Sequence, residues 1–204
     1  MDKEQIKANN TTIETRHFPT ILKRMEGEGS RKIGGIASSI NEEYKVGWFY
    51  EIIEKGAFDN ALKSSDCRAL FNHNPDYLLG RQSAGTLELS SSDEGLNYEC
   101  DTPETTIGND VLTMIERGDI KESSFAFTVK RQRWVEEKRE DGTWKDIRVI
   151  EEIDQLIDVS PVTYPANPNT SVAKRSFDIW KQENKEKEKT YSLDFAKRQM
   201  ELID

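Results

Sequence analysis

Histidine and cysteine are both scarce: the 204-residue chain carries two of each. Cys67 and Cys100 are isolated and match no metal or redox spacing, so they read as two reduced, partly buried thiols. Four such ligands in total make a protein-built zinc site a poor expectation, and nothing in the sequence calls for a metal or a cofactor. Long apolar runs are missing too. None approaches the roughly 18 to 20 residues of a membrane span, so a soluble chain with no membrane partner is expected. The opening MDKEQIKANNTT lacks the apolar core of a signal peptide, which predicts a protein that stays in the cytoplasm where it is made. Positive charge is in deficit, with a net charge of -9. A nucleic-acid partner, which needs a clustered basic face, is therefore not expected.

What the chain does have is short β-leaning runs punctuated by turn residues. Residues 1–30 form a polar N-terminal segment ending in a GEGS loop. Lys32 to Ala37 and Tyr44 to Ile53 read as strands split by a polar turn, and KGAFDNALKS places Ala57, Phe58, Ala61 and Leu62 at helical spacing. CRALFNH reads as a buried strand closed by an Asn-Pro-Asp turn, and GTLELSSSDEGLNYECD as a hairpin. GNDVLTMIERGD predicts a short helix, with Asn109 as N-cap and Gly118 as the left-handed stop. Phe125, Phe127 and Val129 alternate along a strand, and Asp141-Gly142 signals the hairpin that returns through TWKDIRVIEEIDQLIDVSPVTYP. From Lys174 the composition turns highly charged. Leu193, Ala196, Met200 and Ile203 leave only a narrow apolar stripe there, so residues 174–204 are expected to be a charged helical tail.

Serine needs a neighbouring base to act as a nucleophile, normally a histidine held in one tautomer by a third group. His73 lies at the end of a buried strand, and Ser123-Ser124 lies where a helix exit becomes a strand. The third group depends on hairpin register. A two-residue turn at Asp141-Gly142 sets Ser124 opposite Val159, whereas a three-residue loop sets it opposite Asp158. Asp154 and Glu152 share that strand face farther along, and all three carboxylates also fit a solvent-facing role. His17, in the polar N-terminal segment, is the other histidine that could orient the first.

Several stretches together resemble the prohead serine proteases of tailed bacteriophages, in that family's order. They are YEIIEKGAFDNAL (50–62), ALFNHNPDYLLGR (69–81), GTLEL (85–89), RGDIKESSFAFTV (117–129) and LIDVSPVTYPANPNTSV (156–172). The resemblance spans residues 31–173, leaving the N-terminal segment and the tail outside. It implies a β-rich α+β fold similar to the herpesvirus capsid-maturation protease: a closed or partly closed β-barrel with short helices around it. It also places His73 at the general base and Ser124, directly before FAF, at the nucleophile, with Ser123 as the fallback. The family usually has a small or apolar residue before the nucleophile, and Ser123 departs from that. Asp158 in LIDVS would be the acid.

Proteins of this kind are similar in acting inside the assembling procapsid, in the host cytoplasm. There they remove scaffold segments from the major capsid protein and then cut themselves. The resemblance thus implies a serine endopeptidase partnered by the major capsid protein and its scaffold segment, and by analogy of fold a homodimer or higher oligomer. The exposed tail would suit self-cleavage or scaffold docking. The alternative is a non-catalytic scaffold or assembly module that keeps the protease fold.

Overall fold

Short apolar runs bounded by Gly, Pro and Asx turns should give many strands and few helices, and the chain folds that way. The computed structural model describes residues 6–7, 12–18, 22–25, 27, 30–164 and 173–186. The chain divides into two units, residues 1–169 and 170–204. The first opens with β1 (Ile6–Lys7), β2 (Glu14–Phe18), β3 (Lys23–Arg24), β4 (Lys32–Ser39), β5 (Tyr44–Val46) and β6 (Phe49–Ile53). Helix α1 (Asp59–Ser64), β7 (Arg68–Phe71), β8 (Asn74–Arg81), β9 (Leu87–Ser91) and β10 (Gly95–Asp101) follow. Helix α2 (Thr106–Arg117), β11 (Glu122–Lys138) and β12 (Trp144–Val162) complete it. The second unit contributes a helix over residues 173–186. The stripe from Leu193 to Ile203 lies outside the described residues. No described helix is long and apolar enough to cross a membrane.

Two open sheets stand where a closed or partly closed barrel was expected. The larger runs β1-β11-β12-β6-β5, with β2 on β11, β7 on β12 and β8 on β7; the smaller is β3-β4-β10-β9. The strand pairing explains the separation. The β4–β10 ladder from Gly95↔Ser39 to Asp101↔Lys32 has β3 on one outer edge and β9 on the other. β11 pairs instead with β1, β2 and β12, and among the described residues no ladder joins the two sheets. The larger sheet is organised by β12, which is long enough to hold two parallel neighbours. Ile147–Ile150 pair with β6, and Asp158 and Val159 pair with β7. Within the polar N-terminal segment, β2 joins the larger sheet and β3 the smaller.

Alternation along β11 turns Phe125 and Phe127 into the core, where their rings stack with centroids 4.7 Å apart. Phe58 at the N-cap of α1 and Phe18 from β2 meet Phe125, and Ile33, Ala37, Leu96 and Tyr98 close the cluster from the smaller sheet. Cys67 and Cys100 are wholly rather than partly buried, and burial pushes both thiols up to about 12. They are inert packing groups.

Helix α2 begins earlier than Asn109 suggested. Thr105 is its N-cap: the side-chain oxygen accepts from Gly108 N–H at 3.3 Å, and Asn109 N–H already donates to Thr105 O within the helix. Gly118 ends it at φ 79°, donating to Ile115 and Met114 carbonyls as a left-handed stop does. Thr105→Ala is therefore expected to cost about 1 kcal/mol, and Asn109→Ala far less. A denaturant midpoint that falls for Thr105→Ala alone, at unchanged slope, checks this.

Candidate active site

Phe71-Asn72-His73-Asn74 is a two-residue hairpin turn. Asn72 and His73 both have φ 55°, the pair of left-handed residues that a type I′ turn demands. The turn thus falls two residues before the expected Asn-Pro-Asp. Pro75 instead lies in β8, whose only strand partner among the described residues is β7, leaving an open edge that tolerates a missing donor. Asn tolerates the left-handed region well, and histidine is among the few other side chains enriched there. The strain is held by ties to the end of β12. Asn72 N–H donates to Pro161 O at 3.0 Å, and Asn72 Oδ1 accepts from Thr163 N–H at 2.9 Å. The imidazole therefore hangs over the last turn of pleat in β12, on a backbone conformation fixed from outside the hairpin.

Over that pleat the ring meets two side chains. His73 Nε2 lies 2.7 Å from Ser124 Oγ, and Nδ1 lies 2.6 Å from Asp158 Oδ1. Neither expected register puts the acid there. Near the Asp141-Gly142 turn, opposed residue numbers add to 282, as for Lys138↔Trp144, but irregularities between Ala126 and Gln132 raise the sum to 284 at Ser124↔Ser160. Asp158 consequently faces Ala126, two residues along from Ser160 on one face of β12, and reaches Ser124 only through the ring. Bulges at such places re-aim side chains. Ser160, which sequence reasoning missed, donates to Asp158 Oδ1 at 2.6 Å and fixes the carboxylate.

The remaining candidates have other occupations. Ser123 points to the opposite face, where its Oγ lies 2.9 Å from Tyr98 Oη. Glu152 accepts from Asn60, Lys130 and Arg131, and its carboxyl is held low by Lys130 and Asn60 first among those contacts. Asp154 is exposed to solvent. His17 pairs across the ladder with Ser124 rather than behind His73; Glu122 lies 3.6 Å from its Nε2, and burial holds its pKa below the usual histidine value.

A base, a hydroxyl and a buried acid in one hydrogen-bonded line are the parts of a serine hydrolase. Residues 19–185 match the family described as caudovirus prohead serine protease. The chain belongs to that family. No curated protein matches the chain. Among solved structures, the capsid assembly protease of bacteriophage T4 is similar at 15% identity, over 76% of this chain and 97% of that one, with a TM-score of 0.43.

In this member of the prohead protease family, Ser124 is wholly buried, Asp158 is 5% exposed and the His73 side chain is 19% exposed. β2 pairs alongside Ser124 on β11, from Ser123↔Phe18 to Phe127↔Glu14. Ser124 Oγ donates to the Arg16 carbonyl at 2.8 Å. On the other face of the same strand, Glu14 and Arg16 enter a buried charge cluster with Glu51 of β6 and Arg148 of β12. Arg16 donates to Glu51 at 2.6 Å and to Glu14 at 2.7 Å; Arg148 donates to Glu14 at 2.7 Å and to Glu51 at 2.9 Å. Tyr44 Oη and Gln132 close the ends, on Glu51 and Arg148 respectively.

Proposed function

We propose that the chain is a serine endopeptidase of capsid maturation, with Ser124 as nucleophile, His73 as general base and Asp158 as the orienting acid. The single observation supporting it most is the continuous line from Ser124 Oγ through His73 Nε2 and Nδ1 to Asp158 Oδ1, with both gaps at hydrogen-bond length. In attack on a peptide carbonyl, His73 Nε2 takes the Ser124 proton as Oγ bonds to carbon. It returns that proton to the leaving amine, and water then hydrolyses the acyl-enzyme by the same route. Asp158 stays ionised, holds hydrogen on Nδ1 and stabilises the imidazolium as it forms. The substrates in this reading are scaffold segments of the major capsid protein inside the procapsid, and the chain itself.

Asp158→Asn keeps a group of the same size but offers an amide where Nδ1 needs an acceptor. Catalytic turnover is expected to fall about 10⁴-fold with substrate affinity little changed. The direct test is to combine the purified chain with its capsid protein and follow both by electrophoresis. Shortening of either that stops in Ser124→Ala supports the reading, and processing at an equal rate in Ser124→Ala rejects it. The non-catalytic assembly module draws support from the burial of Ser124. It predicts no processing by any form and no reaction of Ser124 with an acylating reagent.

A further inference from the structure

Resting on the protease reading, we infer that a groove along the outer edge of β8 binds an extended segment of the substrate chain. It reads an apolar side chain about three to five residues from the bond that is cut.

The groove runs between two stretches of consecutive residues. Leu78–Arg81 of β8 line one side, and Asp101–Thr105, which lead into α2, line the other. Side chains of a strand alternate between its faces, so a cavity on one face meets every second residue. A cavity lined by four in succession lies against the strand's edge. Among the described residues that edge has no strand partner, because β8 pairs with β7 alone. It stays open as far as Arg81, whose N–H donates to Thr86 Oγ1 at 2.9 Å and whose carbonyl accepts from Thr86 N–H at 3.2 Å. On the far side the backbone is already engaged with Arg31. Thr102 N–H donates to the Arg31 carbonyl at 3.2 Å, and the Arg31 guanidinium donates to the Thr102 and Pro103 carbonyls. The main-chain partner on offer is therefore β8. An open strand edge beside a cavity is the arrangement that takes an extended peptide: main-chain bonds hold it, and the cavity selects its side chains.

The lining sets what is selected. Leu78, 47% exposed, stands with Ala84 and Pro103 around a space of about 550 Å³, within the roughly 300 to 1,000 Å³ of ligand pockets. The charged residues that line it are two of each sign, Arg31 and Arg81 against Asp101 and Glu104. They give no net field to draw a charged side chain, so an apolar one fits best.

Continuity with the catalytic line chooses the occupant. β8 begins at Asn74, the residue after His73. Leu70 pairs with Leu78 and Phe71 with Asn74, so Pro75, Asp76 and Tyr77 bulge from the ladder between the histidine turn and the groove. All three are exposed, and the Tyr77 ring lies 6.3 Å from that of Phe71, which precedes the turn. Leu78 is five residues after His73. Fully extended, that is about 17 Å, and the bulge shortens it, so about three to five substrate residues cover the distance. A peptide that presents its carbonyl to Ser124 and follows β8 enters the groove within that reach. A small molecule makes no use of an open strand edge, whereas a scaffold segment is a chain that can lie along it.

The test compares two rates in the full chain. One is processing of the capsid protein, and the other is labelling of Ser124 by a fluorophosphonate, a reagent too small to need the groove. Leu78→Glu places a charge at the groove and Ala84→Trp fills it; both positions are exposed, so the fold tolerates them. Each is expected to lower the ratio of processing to labelling at least 10-fold, through a rise in KM. An unchanged ratio in either variant overturns the groove and leaves the protease reading standing. A lower ratio that comes with a changed oligomeric mass assigns the groove to a second copy of the chain and overturns the peptide. Neither processing nor labelling in wild type overturns the groove and the protease reading together.

Discussion

Ser124→Ala is expected to lower peptide-bond hydrolysis by about 10⁴- to 10⁶-fold, and replacement of His73 to do nearly the same. Together they should cost little more than either alone, because base and nucleophile act as one unit. The choice of substitution at 73 matters. With φ at 55°, alanine there adds backbone strain to the loss of the base, and the two effects would be confounded. His73→Asn separates them, since asparagine tolerates the left-handed region and Asn72 beside it already does so. Ser124→Ala removes only Oγ and its bonds to His73 and the Arg16 carbonyl. The native melting temperature should therefore move by a few degrees at most. The decisive measurement is the processing rate at matched folded concentration. If His73→Asn keeps more than about 1% of wild-type turnover while remaining folded, the ring is not the base.

The parts of this site differ in how far they can be read from the sequence, for identifiable reasons. His73 and Ser124 are legible because FNH and SSFAF keep rare residue types beside apolar anchors. The turn holding His73 is less so. Asn-Pro-Asp is the stronger local turn signal, but Asn72 is tied to Pro161 and Thr163, about ninety positions away, and that tertiary tie decides where the chain reverses. Asp158 is the carboxylate that meets His73 Nδ1, placed by a register neither simple hairpin gives, because bulges along β11 and β12 shift the pairing by two. Ser160 has no signal of its own, since its role exists only once Asp158 shares its face. The two-sheet architecture is equally hidden. The strands themselves are readable from alternation, but which edges are taken by β3 and β9 is a long-range outcome.

The cluster beneath β2 was invisible for the same reason, joining positions as far apart as 14 and 148, and it supports the second large prediction. Arg148→Met is expected to destabilise the fold by about 3–5 kcal/mol, because it leaves Glu14 and Glu51 facing a single buried arginine. Glu51→Gln should cost a comparable amount by leaving two arginines to one carboxylate. Combining Glu51→Gln with Arg148→Met restores neutrality and should cost clearly less than the sum of the two. The cluster also sets a pH dependence. Burial alone would push the Glu51 carboxyl up, but Arg16 and Arg148 outweigh it and hold it at about 2, below the ordinary 4.5. A depressed acid binds fewer protons folded than unfolded, so its stabilisation is present above pH 4.5 and is lost as pH falls toward 2. Unfolding free energies of wild type should thus drop through that window, and Glu51→Gln should flatten the drop. An unchanged slope in Glu51→Gln, or an Arg148→Met protein as stable as wild type, would mean that the four charges do not act as one buried unit.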